Sequence, residues 1–392
     1  MLGILTENRR LTASGLRTIA LVKAAGAVAR PAMRALAVTI AVVIALLIVE
    51  LALHIYNPLP FRVRGERIIL PVHQRYTFHN DGASKLDPVT HHTKNALGFR
   101  GPDPPRDFEK HLTILTIGGS TTECLFLSDG KTWTDAVARR LAIGFPGIWV
   151  NNAGLDGQST YGHLILLRDF VVALHPTVAI FLVGANDVGL DAGNPYDNAL
   201  VPGRTPWRTA RTFLVEHSEI AQLAQNLARM ARAKEAGFGH SQIDLTKLVL
   251  LEDEPDLGAA TIRTLEPPLH GFGDRLTAIA ELCRRNGIDP VFITQPGLFG
   301  DALDPVTGVN LARIQVRGTA NGKIWWRVQE MYNDVTRRVA ADRQILLIDA
   351  ARELPKDSRL FYDLVHFTNE GAVRLGELVA AHLEPHLRGL VH

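Results

Sequence analysis

The stretch Leu112–Glu123 reads L-T-I-L-T-I-G-G-S-T-T-E. An apolar, β-branched run from Ile114 to Ile117 meets two glycines and then a serine. Such a run predicts a buried parallel strand that ends on a sharp turn into a helix. Gly118 and Gly119 suit the turn, because glycine takes backbone angles that other residues avoid. Ser120 is then left at the carboxyl edge of the sheet, with its N–H near a helix start. A serine there is a nucleophile if a base reaches it. Otherwise it is an N-cap, a position that favours serine. The stretch alone leaves both readings open.

Downstream the pattern is regular. Strand-like runs at Leu112–Ile117, Ile148–Asn152, Val178–Val183, Pro290–Thr294 and Ile345–Ile348 alternate with helix-like stretches. These stretches are Thr132–Ile143, Tyr161–Leu174, Thr209–Lys234, Thr261–Arg285 and Ile324–Asp342, with a last helix from about Asn369 to Leu387. The alternation predicts an α/β fold: a three-layer, doubly wound parallel sheet with right-handed crossovers. Active residues in such sheets collect at the carboxyl ends of strands. The second strand runs into N-A-G-L-D-G-Q-S, which puts Gly154 and Gly157 in a loop. The third runs into G-A-N-D, with Asn186 and Asp187, and Asp363-Leu364-Val365-His366 stands just before the last helix. Each piece also has a plain structural reading. Gly157 is a turn glycine, Asn186 and Asp187 cap a helix or close a turn, and a D-x-x-H pair is common on surfaces. Their order along successive strand ends is what accident does not supply.

As a set, G-G-S-T-T, N-A-G-L-D-G-Q-S, G-A-N-D and D-L-V-H resemble the four blocks of SGNH hydrolases of the GDSL esterase superfamily, over about Leu112 to Leu387. The resemblance implies the flavodoxin-like SGNH fold and assigns Ser120 as nucleophile and His366 as its base. Asp363 matches the residue that orients the imidazole and stabilises the imidazolium. The oxyanion hole falls to the Ser120 N–H, the Gly157 N–H and the Asn186 side-chain amide, fixed donors of a kind that is often the largest catalytic term. A side chain at 157 would crowd the substrate; Gly154 aligns one turn too early to be the donor, and Asp187 is expected to hold its loop. The family's usual G-D-S is here G-G-S, with Gly119 in the aspartate's place, as in some membrane-linked branches. The implied reaction is hydrolysis of an acylated, O-acetylated glycan or lipid through an acyl-serine. An O-acyltransferase for envelope polysaccharide would use the same triad. A silent glycan-binding or assembly domain would keep the fold without the chemistry. No cofactor and no metal is expected.

Upstream, residues 1–34 are basic, with Arg9, Arg10, Arg17, Lys23, Arg30 and Arg34 facing only Glu7. Ala35–Val49 is uniformly apolar, Glu50 interrupts it, and Leu51–Tyr56 continues it. Together these make roughly the twenty residues that span a bilayer. The positive flank comes first, so the reading is a single-pass signal anchor at 35–56 with everything after it outside the cytoplasm. A cleaved signal peptide and a buried core helix compete with it. Glu50 is expected to reach the headgroups and Tyr56 to sit at the interface.

Residues 57–110 read as a connector with short strands that packs on a catalytic domain at 111–388. Within it Asn95–Gly101 is ordered around a turn at Gly98 and an anchor at Phe99. His91-His92 reads as a solvated pair rather than metal ligands. Residues 190–268 exceed a plain crossover and read as a cap, and Gly297–Gly322 is a second insertion. Trp325 and Trp326 either pack on the sheet or stack on sugar rings. The chain's 42 basic and 40 acidic residues nearly balance, so net charge points to no nucleic-acid partner. The two cysteines, Cys124 and Cys283, make neither a disulfide framework nor a metal pattern, and whether they pair stays open.

Overall fold

The computed structural model describes residues 33–56, 63–64, 67–80, 82–190, 206–235, 240–252 and 255–391. Most of the expected basic tail (1–32) and parts of the expected cap (191–205, 236–239, 253–254) lie outside the described residues. The chain divides into two compact units, Met1–Pro60 with Leu214–Ala224, and Phe61–Phe213 with Gln225–His392.

Helix α1 (Met33–Ile55) has 23 residues, a mean hydropathy of 2.9 and no buried residue in its apolar window. It is long enough to cross a hydrocarbon core. After it, β1 (Val63–Arg64) pairs with β2 (Arg67–Ile68) and β3 (Arg75–His79) with β4 (Val89–Thr93), both antiparallel. Then the alternation begins with β5 (Thr113–Gly118), α2 (Ser120–Glu123), α3 (Trp133–Leu141) and β6 (Trp149–Asn152). Next, α4 (Thr160–Leu166) passes through a π-helical turn, Leu167–Val171, into α5 (Val172–Leu174), followed by β7 (Val178–Val183). The insertion carries α6 (Pro206–His217), α7 (Glu219–Glu235) and α8 (Pro255–Arg263), and α9 (Glu266–Arg285) leads into β8 (Asp289–Thr294). The small pair β9 (Gln315–Arg317) and β10 (Ala320–Asn321) precedes α10 (Gly322–Asp342), β11 (Leu346–Ile348), α11 (Ala350–Glu353) and α12 (Asn369–Val391).

The five-stranded sheet has the order β11-β8-β7-β5-β6 and is parallel throughout. Counted by appearance, that is the flavodoxin-like order 2-1-3-4-5. Its direction of winding reverses between β5 and β7, where ligands of such sheets bind. Side chains on a strand alternate between faces, and both faces are covered here. In β7, Val178, Ile180 and Leu182 join a core built with Trp133 and Val137 of α3 and Val379 and Leu383 of α12. The intervening Ala179, Phe181 and Val183 join a second core with Phe272 and Leu276 of α9 and Tyr332 and Val335 of α10.

Two expected helices are each split, for identifiable reasons. The run expected over Thr209–Lys234 breaks at Ser218 into α6 and α7. There the Glu50 carboxylate of α1 accepts hydrogen bonds from Ser218 Oγ (3.0 Å) and the N–H groups of Glu219 and Ile220 (3.1 Å for Ile220). Glu50 thus satisfies the orphan donors and positive end of α7 rather than standing free for headgroups. The run over Thr261–Arg285 breaks before α9, which has proline in its first turn, where the missing N–H is tolerated.

The connector supplies structural support. Gly98 has φ +77° and Phe99 is buried, so the Asn95–Gly101 turn is ordered. Lys85 Nζ donates to the carbonyls of Ser358 (2.8 Å) and Phe361 (3.2 Å), tying residue 85 to the segment that carries Asp363. His91-His92 is not a solvated pair. Both lie in β4, where alternation turns His91 outward and buries His92 fully, against the rings of Tyr76 and Phe78. Neighbours on opposite faces of a strand do not share a metal. Cys124 and Cys283 are both free and buried, and burial pushes each thiol up to about 12.

Candidate active site

Ser120 is the first residue of α2, directly after β5. Neither Gly118 nor Gly119 has a positive φ, so conformational freedom is not why glycine stands there. Space is the reason. A Cβ on Gly118 would lie 2.1 Å from Thr122 Oγ1, and one on Gly119 would lie 2.4 Å from Asn186 Nδ2 and 3.0 Å from the Gln158 carbonyl oxygen. Gly119 therefore makes room for the Asn186 amide.

The loop before α12 brings Asp363 and His366 to the serine. Ser120 Oγ is 2.7 Å from His366 Nε2, and His366 Nδ1 is 2.6 Å from Asp363 Oδ2. Asp363 Oδ1 accepts the backbone N–H groups of Val365 (2.9 Å) and His366 (2.7 Å). Burial pushes the Asp363 carboxyl up. The His366 charge, the ring hydrogen bond and these two N–H donors outweigh it and hold the carboxyl below its usual range. A carboxylate only accepts, so Nδ1 carries the proton and Nε2 presents its lone pair to the serine hydroxyl.

Gly157 and Asn186 line the same cavity as Ser120, a cleft of about 430 Å³. Gly157 has φ +73°, which favours glycine there irrespective of crowding. Asn186 Nδ2 donates to the Gln158 carbonyl at 3.0 Å, which fixes the amide and leaves its second N–H available. Asp187 is buried and bonds the Thr160 N–H and Arg275 Nη2 (both 3.2 Å), joining the β7 loop to α4 and α9. Gly154 faces away from the cleft, since a Cβ there would lie 2.4 Å from the Glu123 N.

Behind the site, Glu123 at the end of α2 is fully buried. Its carboxylate takes Lys94 Nζ at 3.0 Å and the Asp156 N–H at 2.6 Å. Arg100 Nη1 covers the Glu123 and Cys124 carbonyls at 2.8 Å, a cation at a helix C-terminus. Connector residues thereby hold the loop that carries Gly157.

His240, from the insertion, gave no sequence signal: it is one histidine in a Gly-rich stretch. Its ring lies 4.2 Å from that of His366. Nε2 is 3.1 Å from Asp156 Oδ1 and Nδ1 is 2.8 Å from Tyr362 Oη. Asp156 only accepts, so Nε2 donates to it and the Tyr362 hydroxyl donates to Nδ1 of the neutral ring. Burial opposes the His240 charge, but the Asp156 hydrogen bond and the carboxylates of Asp156, Asp363 and Glu123 raise its pKa overall. Donor atoms of His240, Asp363 and His366 lie within 4.8 Å of one another. All are engaged in the hydrogen bonds just given, so a metal would have to break the Ser120 array to bind. Trp325 lines the cleft. Trp326 does not; it lies against Gly300, with Lys356 Nζ 3.0 Å from its ring centre.

The family model for GDSL-like lipases and acylhydrolases matches residues 116–374. No curated protein matches the chain. Among solved structures, it is similar to a lipolytic protein of the G-D-S-L family from Desulfitobacterium hafniense DCB-2 (15% identity, 69% of this chain and 99% of that one, TM-score 0.39). It is similar to TesA (17% identity, 70% and 98%, TM-score 0.38). It is also similar to the acetylxylan esterase Axe2 from Geobacillus stearothermophilus (15% identity, 69% and 93%, TM-score 0.39).

Proposed function

Because the chain belongs to the GDSL-like lipase/acylhydrolase family and is an esterase, we propose that it cleaves its ester through an acyl-Ser120 intermediate. The observation that carries this reading is the array Ser120 Oγ–His366 Nε2 at 2.7 Å and His366 Nδ1–Asp363 Oδ2 at 2.6 Å. His366 takes the serine proton as Oγ attacks the carbonyl, then returns it to the leaving alkoxide. Water, activated by the same ring, releases the acyl group. The Ser120 N–H, the Gly157 N–H and the free N–H of Asn186 receive the oxyanion. The substrate is a short-chain, O-acetyl-type ester of a glycan or lipid, consistent with a cleft of about 430 Å³ that mixes polar groups with Trp325. Helix α1 anchors the protein in the membrane with the esterase outside the cytoplasm, as the basic flank before it suggests.

One experiment tests both parts. A membrane-impermeant fluorophosphonate is expected to label Ser120 of the full-length protein on intact spheroplasts as well as after purification. Labelling only of the purified protein would overturn the orientation; labelling of neither would remove the activated serine.

His240 gives a pH dependence. Its raised pKa means its charged form persists further into the neutral range than that of an ordinary histidine. Below that pKa a cation sits 4.2 Å from the ring that must accept the serine proton. Asp156, Tyr362, Asp363 and Glu123 are the other groups that surround it. His240→Gln can keep a donor to Asp156 and an acceptor for Tyr362 without the charge. The variant is expected to retain a larger share of its pH 8 kcat/KM at about pH 5.5 than the parent does. Superimposable profiles would show that the His240 charge is not felt.

A further inference from the structure

Gln329 is an anomaly in the wall of the cleft. It lies on α10, four residues after Trp325, so the two side chains share one helix face. Both line the cavity that holds Ser120 and Asn186. Gln329 is only 2% exposed, yet its Nε2 has no hydrogen-bond partner among the described residues. Buried polar groups are nearly always paired, and one left unpaired costs stability. Val328, Tyr332 and Val335 are buried nearby on α10, and the other buried polar side chains there are paired: Asn333 Nδ2 donates to the Gln295 carbonyl at 3.2 Å and Thr336 Oγ1 to the Tyr332 carbonyl at 3.1 Å. An apolar side chain of the same size at 329 would suit that core better, which leaves substrate binding as the reason for an amide there.

We propose that Gln329 and Trp325 form the alcohol-side subsite of the esterase and that its ligand is a sugar hydroxyl group next to the acylated one. The inference rests on the reading of Ser120 as nucleophile and names the substrate class of that same site. A sugar supplies what this wall lacks and can use. A ring hydroxyl oxygen accepts the Gln329 N–H, and the C–H face of the pyranose covers the indole of Trp325. A fatty alcohol would offer no acceptor and would leave the Gln329 donor unpaired. Asp156 and Ser241, also in the lining, add polar groups for further hydroxyls.

The test uses full-length protein, Gln329→Leu and Gln329→Glu, and two acetyl esters that share the acyl group and differ in the alcohol. One is p-nitrophenyl acetate; the other is a mono-O-acetylated methyl hexopyranoside. Gln329→Leu is expected to melt at the same temperature or higher. It should lose roughly 10–100-fold in kcat/KM on the sugar ester, because a site built to pair a hydroxyl is left mismatched. On p-nitrophenyl acetate it should stay within about twofold, since that alcohol has no hydroxyl to lose. Gln329→Glu, which replaces the donor by an acceptor that can still receive a hydroxyl proton, should fall between the two on the sugar ester. Equal losses on both esters in Gln329→Leu would make Gln329 a structural residue and overturn the proposal. So would unchanged kinetics on both, or a parent enzyme that hydrolyses p-nitrophenyl acetate but not the sugar ester. Failure of the parent on both esters, together with no fluorophosphonate labelling, would instead remove the nucleophile on which the inference rests.

Discussion

Ser120→Ala and His366→Ala are each expected to lower kcat on p-nitrophenyl acetate by about 10⁴-fold or more, and the double variant by little beyond either single one. In the proposed mechanism the hydroxyl and the imidazole, 2.7 Å apart, act as one unit. Without the ring the hydroxyl keeps its proton; without the hydroxyl the ring has nothing to activate except water. Ser120→Ala should leave the melting temperature unchanged, because Ser120 opens a helix without serving as its cap. Asp363 is a less clean probe. Its Oδ1 also holds the N–H groups of Val365 and His366, so Asp363→Ala should lower stability as well as rate. If His366→Ala turned over at near-normal rate, the base would have to be another group. His240, with its ring 4.2 Å from His366, is the one placed to replace it.

The legible part of this chain is the part organised by short-range pattern. Buried parallel strands are continuous apolar runs, so β5, β7 and β8 stand out in the sequence, and the residues after β5 and β7 fall at the strand ends where such sheets collect active groups. What escaped the sequence is what depends on three-dimensional neighbours. Gly119 reads as a turn residue because glycine usually is one; its need for space against Asn186 is set by the loop after β7, which lies beside β5 in the sheet. His92 sits in V-T-H-H-T, which is too polar to read as a strand, yet Thr90 and His92 are both fully buried on one face. His240 reaches the site only through the path of the insertion. Gln329 left no trace, because the same helix also buries the polar side chains of Asn333 and Thr336, and only their three-dimensional neighbours show that those two are paired. The end of α6 was hidden for a similar reason, since Glu50, far away in sequence, caps the helix that follows.

Asn186→Ala is expected to lower kcat by roughly 10²–10³ with a smaller change in KM, the scale for losing one oxyanion donor. The argument is geometric. One N–H of the amide is fixed on the Gln158 carbonyl at 3.0 Å, which leaves the other to meet an oxygen that becomes charged only in the tetrahedral intermediate. Interactions made only then raise kcat and leave ground-state binding nearly alone. Asn186→Asp should be at least as harmful, because a carboxylate would face both the Gln158 carbonyl oxygen and the oxyanion with no proton to offer. Gly119→Ala supplies an independent route to the same loss. Its Cβ would fall 2.4 Å from Asn186 Nδ2 and must push the amide off its position without touching the triad. All three variants should still react slowly with a fluorophosphonate, since Ser120, Asp363 and His366 remain. If Asn186 only shaped a turn, Asp would be tolerated, as it is a good turn former, and activity would fall only with fold. The measurement that separates the two is kcat for Asn186→Asp beside its melting temperature: a stable variant with near-parental kcat would take Asn186 out of the oxyanion hole.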